Sequence, residues 1–440
     1  MVDQTTLMKR VVYASLIGAT VEWYDFFLYG VVAGIVFNKL YFPTGDPTIS
    51  TLLAYTTFAV GFVTRPLGGV IFGHFGDRIG RKSMLVLTLM IMGVATMLIG
   101  LVPTYAQIGI WAPIALLALR ILQGIGLGGE WGGAVLMTYE YAKPSERGFY
   151  ASLPQIGLSI GLCLASGVVA LLSFALTDEQ FLTWGWRLAF ALSFVLVVVG
   201  LYIRLNIKET PEFSKLKKEG AEAKVPFVAM IADYPREIIA GMGARYIDGV
   251  FFNVFGVYSI AYLTQQFKIS RTEVLLGVTV SALVMCFFIP VFGRLSDRMG
   301  RTTVYSWGSL ITGLSALPAF WIWMNYPGEP ALVWAAFLIP FGIFYASIYG
   351  PEAALFCDLF RPQVRYTGIS FVYQFSGIFA SGLTPIIATA LIQGYGANGG
   401  WAIALYCLFA GIVSALSAVW IRSLERHRSQ EDGVAVASAA

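Results

Sequence analysis

Twelve apolar runs of bilayer-crossing length follow one another along the chain, at about 11–38, 50–73, 83–102, 111–140, 149–175, 186–206, 234–265, 271–296, 304–325, 331–357, 365–393 and 399–422. A helix needs roughly 20 residues to cross the hydrocarbon core. Nothing in hydrocarbon can hydrogen-bond a backbone group, so runs of this kind fold as helices that satisfy themselves. Only 12% of the 440 residues are charged, against about 25% in a soluble domain. The expected fold class is therefore an all-α polytopic membrane protein with 12 transmembrane helices and the lipid bilayer as partner. The net charge of +4 is unevenly spread, which argues against a nucleic-acid partner.

Lysine and arginine set the orientation. With both termini placed in the cytoplasm, 22 of the 29 basic residues fall on that side, and Lys39, Arg187, Lys268 and Arg271 fall on the other. Arg65, Arg120 and Arg245 lie inside spans. The Lys9-Arg10 pair before the first apolar run has the look of a signal peptide, but Glu22 and Asp25 interrupt that run, so it reads as an uncleaved first helix. A Lys/Glu-rich stretch at 207–233 divides the chain into a six-helix bundle at 1–206 and another at 234–422, with a polar tail at 423–440. The stretch reads as partly helical and surface-lying, and the tail as disordered.

The halves echo each other. Gly73-His74-Phe75-Gly76-Asp77-Arg78-Ile79-Gly80-Arg81-Lys82 returns as Gly293-Arg294-Leu295-Ser296-Asp297-Arg298-Met299-Gly300-Arg301-Thr302, with Asp297 standing 220 residues after Asp77. Glycine allows a tight turn there, and the Asp/Arg pairs place opposite charges at helix ends. A second echo sets Glu140 seven residues before Arg147, and Asp358 seven before Arg365. Paired charges repeated in both halves read as a conformational latch; snorkelling surface charge is the simpler alternative. Helices four and five carry Gly124, Gly128, Gly129, Gly133, Gly157 and Gly161, which let backbones approach closely.

Charges inside spans are costly and point to function. Glu22, Asp25 and Tyr29 share one face of the first helix. Arg120, Gln123 and Glu130 lie along the fourth, Arg245 and Asp248 sit three apart on the seventh, Tyr345, Tyr349 and Glu352 share a face of the tenth, and Tyr373 and Gln374 follow on the eleventh. Glu130 and Arg65 fit structural pairing as well as function. Trp111, Trp184 and Trp186 read as interface anchors. The two histidines, His74 and His427, lie outside the spans, so a proton-driven protein would use carboxylates: Glu22, Asp25 and Asp248.

No phosphate-binding GxxxxGK[ST] and no HExxH occurs, and Cys163, Cys286, Cys357 and Cys407 are too scattered to bind a metal. The reading is not an enzyme, with no cofactor and no metal.

These motifs resemble a known family. Gly73 to Lys82 is similar to the signature loop of the major facilitator superfamily, Gly293 to Arg301 to its partial copy, and Arg120 to Gly124 to its helix-four motif. Val21 to Phe26, Gly128 to Ala134 and Arg365 to Gly368 resemble the metabolite:proton symporters of bacterial inner membranes, and Gly69 to Asp77 and Asp178 to Leu182 the shikimate-type carriers among them. That family also includes carriers of 2-oxoglutarate, citrate, aromatic acids and proline/betaine. Helices seven and ten depart from the shikimate-type pattern.

The resemblance implies two six-helix bundles around a central cavity, each built from inverted repeats, and proton-coupled uptake of a small organic carboxylate by a monomer. Arg120 and Arg245 would bind the carboxylate. Gln123, Tyr29, Asn253, Tyr349, Tyr373 and Gln374 would orient it, and Glu22, Asp25 and Asp248 would carry protons. Asp77, Arg78, Arg81, Glu140, Arg147, Asp297, Arg298, Asp358 and Arg365 would form the gate. The alternatives are a symporter of a zwitterionic osmolyte such as betaine or proline, and a membrane receptor that transports nothing.

Overall fold

The structure is a computed structural model and describes residues 4–220 and 223–439. Among these residues there is no strand. Eleven helices have the length and apolarity of a membrane span. They are α1 (Thr6–Leu40), α2 (Thr56–Ile79), α3 (Arg81–Leu101), α4 (Trp111–Tyr141), α5 (Pro144–Ala175), α6 (Asp178–Leu205), α7 (Pro235–Phe267), α8 (Thr272–Met299), α10 (Pro330–Leu359), α11 (Arg365–Tyr395) and α12 (Gly399–His427). Between α8 and α10 lies α9 (Arg301–Asn325). Its Ser, Thr and Gly residues dilute its apolar character, but at 25 residues and about 1.5 Å per residue it is long enough to cross.

The chain forms two compact units, Met1–Ala142 with Leu153–Pro226, and Lys143–Ser152 with Phe227–Ala440. The fifth span is therefore not one rod. Its helix breaks after Ser152 and resumes at Ile156, and the piece before the break packs with α8 and α10.

In the first unit the glycines bring α2 and α4 into backbone contact. A Cβ added to Gly128 would lie 2.1 Å from the Arg65 carbonyl oxygen, and one on Gly124 would lie 2.5 Å from that of Gly61. Gly157 and Gly161 do the same for α5 against α1 at Ala19 and Trp23. At the far end of α1 the rings of Phe37, Tyr41, Trp186 and Phe190 pack edge to face. Trp186 is fully buried there, which corrects its reading as an interface anchor; Trp111 and Trp184 are exposed.

The repeated motif is helix rather than loop. It continues α2 through Ile79 and α8 through Met299, with Gly80 (φ 132°) and Gly300 (φ 91°) the single non-helical residues before α3 and α9. Both φ values lie in the region open to glycine.

The connecting stretch forms helices at Pro211–Glu219 and Pro226–Asp233, with Phe213, Leu216 and Met230 buried. Its anchor is Glu209. The carboxylate accepts the Lys82 backbone N–H at 3.2 Å and the Thr210 N–H at 2.9 Å, so it caps the start of α3, where the helix dipole favours an anion. The Lys82 ammonium donates to the Leu205 carbonyl at 2.8 Å, and the Tyr141 hydroxyl to the Glu209 carbonyl at 2.9 Å. The polar tail, expected to be disordered, continues the last helix to Ala439; extending a formed helix adds a hydrogen bond per residue and needs no new nucleus.

Two predictions follow from this packing. Gly128→Ala lowers the thermal unfolding temperature in detergent by the equivalent of about 1–3 kcal/mol, the usual cost of overpacking. Gly167→Ala, whose added methyl meets nothing within 4 Å, leaves the temperature unchanged or slightly raised. Burial pushes the Glu209 carboxyl above its ordinary range, against the pull of its backbone donors and Arg81. A carboxyl raised on folding holds more protons folded than unfolded, so its contribution is largest below its unfolded pKa and is lost as pH rises through the folded one. The stability of the wild type relative to Glu209→Gln should therefore decline as pH rises from about 4.5, and a difference independent of pH would contradict this.

Candidate functional site

The first unit holds a chain of buried polar groups across four helices. Arg120 on α4 donates from Nη1 to Gln123 Oε1 at 2.6 Å. Gln123 donates to Thr96 Oγ1 on α3 at 2.7 Å, and Thr96 donates to Asp25 Oδ2 on α1 at 2.9 Å. The other Asp25 oxygen accepts from Ser193 on α6 at 2.5 Å. Every member is at most 2% exposed. A guanidinium and a carboxylate are thus joined through two neutral side chains instead of touching.

The Arg120 guanidinium lies over the rings of Tyr29 (4.4 Å), Phe58 (4.9 Å) and Phe26 (5.1 Å), a favourable seat for a cation away from water. Tyr29 also shares a 2.7 Å hydrogen bond with Thr57. Gly61 makes room for the arginine, since a Cβ there would come 2.6 Å from its Nε. A closed crevice with no room for a water molecule, lined by Arg120, Gln123, Arg65, Phe26 and Gly61, lies beside it.

Glu22 and Glu130 belong to a second set. Glu130 pairs with Arg204 through both oxygens and accepts from Thr88 at 2.7 Å. Arg204 also donates to the Leu85 carbonyl at 2.7 Å. Glu22 is buried with Glu130, Arg65, Arg204 and Asp25 as its charged neighbours. Arg65 rests against Phe26 (4.3 Å) and Phe62 (4.5 Å). Removing one partner of such a pair leaves a buried charge, at a cost of about 3–5 kcal/mol.

In the second unit, Arg245 pairs with Asp248 at 3.2 Å and lies 3.8 Å over the Tyr373 ring. Asp248 also accepts from the Tyr345 hydroxyl, and Tyr349 stacks on Tyr345 at 5.6 Å. Gln374 is buried beside Tyr373. Asn253 is half-buried and turns its amide onto the Gly249 carbonyl of its own helix at 2.8 Å. The helices bearing this cluster each contain a π turn, at Asn253–Tyr258, Leu338–Phe344 and Ile378–Gly382, a feature that recurs at functional sites. In the first unit, α1 and α6 carry π turns at Ala33–Phe37 and Phe181–Gly185.

The echoed motifs build matching triads. Arg81 stands 3.3 Å from Asp77 and 3.6 Å from Glu140, with all three side chains buried. Arg301 likewise binds Asp297 (3.7 Å) and Asp358. Arg78 and Arg298 are exposed, so the cation of the second triad is Arg301 and not the expected Arg298: the break at Gly300 turns the next residue back onto Asp297. Asp297 also accepts the Gly148 and Phe149 N–H groups at 2.7 and 2.8 Å. Arg147 opens that segment, half-buried. Arg365 donates to the Phe360 carbonyl at 3.1 Å and caps its own turn.

Reading the sequence missed Thr96, Ser193, Arg204 and Arg301. Arg301 was recoverable, because the echo sets it in the place of Arg81. Thr96 and Ser193 give no signal among the other hydroxyls of apolar helices.

The Sugar (and other) transporter family matches residues 11–232, and the Major Facilitator Superfamily matches 242–437. The chain is 40% identical to the shikimate transporter of Escherichia coli, over 95% of each chain. It is 36% identical to the proline/betaine transporter of Salmonella typhimurium, over 89% of this chain and 79% of that one. The structure of the proton:xylose symporter XylE superposes with a TM-score of 0.78 over 96% of each chain, at 16% identity, which shows the fold alone. With both halves matched and relatives spanning nearly its whole length, the chain belongs to the major facilitator superfamily, as a multi-pass membrane transporter and not an enzyme.

Proposed function

We propose that this transporter takes up a small organic carboxylate of the shikimate, aromatic or di/tricarboxylic kind together with protons, by alternating access across a bacterial inner membrane, with both termini in the cytoplasm. The observation that carries the reading is the buried chain Arg120–Gln123–Thr96–Asp25. A substrate carboxylate arriving at Arg120 takes the place of Gln123 on the guanidinium, in the two-bond geometry arginine offers. The displaced Gln123 no longer holds Thr96 toward Asp25. A buried carboxylate short of a donor is costly to keep charged, and a proton from water removes that cost. Binding of the anion and of the proton are thereby coupled through two neutral side chains. In the second unit Arg245 with Tyr373, Tyr349 and Gln374 offers a further seat for the carboxylate, and the Asp77–Arg81–Glu140 and Asp297–Arg301–Asp358 triads hold the gate.

A zwitterionic osmolyte is the second reading. It is favoured by the proline/betaine relative and by the aromatic wall of Tyr345, Tyr349 and Tyr373, a surface suited to a quaternary amine.

In proteoliposomes offered shikimate and glycine betaine, an inward proton gradient should raise uptake of the substrate, and a protonophore should abolish the rise. Uptake that ignores the protonophore and follows sodium overturns the coupling. Arg120→Lys should weaken binding of the acid by about 1.5–3 kcal/mol, the worth of a charged hydrogen bond, and change binding of its neutral amide little. Equal losses for acid and amide would remove charge recognition from Arg120. Arg301→Ala should slow transport with substrate affinity within a few-fold, whereas Arg298→Ala should leave the rate unchanged.

A further inference from the structure

One carboxylate of the second unit has no donor. Glu352 on α10 is 0% exposed, and neither of its oxygens meets a hydrogen-bond partner among the described residues. Its charged neighbours are Arg245 and Asp248 from α7, and Tyr305 of α9, Tyr349 of α10 and Tyr373 of α11 face the same group. The other elements packed on α10 direct their charges elsewhere. Asp297 of α8 takes the Gly148 and Phe149 N–H groups and Arg301, and Arg294 lies over the Phe149 ring. Lys143 and Glu146 are exposed, and Arg147 is half-buried at the head of its segment.

The cluster thus sets two carboxylates against one guanidinium, away from water. Asp248 has the guanidinium at 3.2 Å and the Tyr345 hydroxyl besides. Were Glu352 ionised too, it would be a buried charge without a hydrogen bond, the most costly state a carboxylate can take inside a span. With a proton on Glu352 the cluster is neutral.

We propose that Glu352 holds a proton in this arrangement and releases it to water when Arg245 turns from Asp248 to Glu352, which makes Glu352 a second proton carrier beside Asp25. The carboxylate left behind gains Arg245 as counter-ion, and Asp248 keeps the Tyr345 hydroxyl. The proposal rests on the proton-coupled reading above and extends it to the second unit.

Infrared pH-difference spectra of the purified full chain in lipid test the proton without any substrate. The wild type should lose intensity in the protonated-carboxyl C=O band as pH rises, Glu352→Gln should lack that component, and Asp248→Asn, which leaves Arg245 no other carboxylate, should lose it at lower pH than the wild type. A Glu352→Gln spectrum superimposable on the wild type overturns the proposal. Should Glu352→Gln fail to fold, Asp248→Asn decides: a component that titrates at lower pH than in the wild type supports Glu352, and its absence at every pH assigns the proton to Asp248 and overturns the proposal. In proteoliposomes, with whichever of labelled shikimate and glycine betaine the wild type takes up, Glu352→Gln should keep counterflow exchange while gradient-driven accumulation falls well below the wild-type level, leaving the part that Asp25 drives. Accumulation with the wild-type pH profile overturns the carrier role. Wild-type uptake indifferent to the gradient would instead defeat the proton-coupled reading, while the infrared assignment of the proton stands.

Discussion

An ion inside an apolar bundle must find a counter-charge or a set of hydrogen bonds within reach, and that requirement governs the placement of polar residues in this transporter. Desolvation costs several kcal/mol per ion even after relaxation. The first unit meets it in two ways. Glu130 and Arg204 touch directly and tie α4 to α6. Asp25 and Arg120 stay apart, and Thr96, Ser193 and Gln123 share the work of solvating them. The direct pair is suited to holding structure, because breaking it strands a charge. The indirect one is suited to change, because each member can give up one neutral partner for another.

The helix backbone makes both arrangements possible. Glycines at the α2–α4 crossing remove the side chains that would otherwise separate the helices, and Gly61 leaves the volume that the Arg120 guanidinium fills. Gly18 does the same for Arg204, whose Nη2 would lie 1.8 Å from a Cβ at that position. Glycine here serves charge placement as much as close packing.

The sequence makes the fold legible because hydrocarbon permits so few alternatives: apolar runs of this length dictate helices, and the family follows from motifs in order. The site was legible where charge itself is the signal, as for Asp25, Arg120, Arg245 and Asp248. It was illegible where the partner is an ordinary hydroxyl, as for Thr96 and Ser193, or where a residue counted at a span edge reaches inward, as Arg204 does to Glu130. Trp186 misled for a related reason. An indole near a helix end suits the interface by composition, and only tertiary packing against Phe37, Tyr41 and Phe190 decides otherwise. Asn253 spends one amide N–H on the Gly249 carbonyl of its own helix.

The π turns have a consequence for how side chains are aimed. An α-helix advances about 100° per residue, and a π turn takes up one residue more than the α turn it replaces. In α7 the turn at Asn253–Tyr258 therefore works as a phase shift. The face bearing Arg245 and Asp248 and the face bearing Tyr262 are offset by about one residue's rotation from where a continuous α-helix would set them. The same holds across Leu338–Phe344 in α10 and Ile378–Gly382 in α11. Three neighbours in one unit thus carry independent rotational settings within their spans, adjustable without changing how many residues lie in the bilayer.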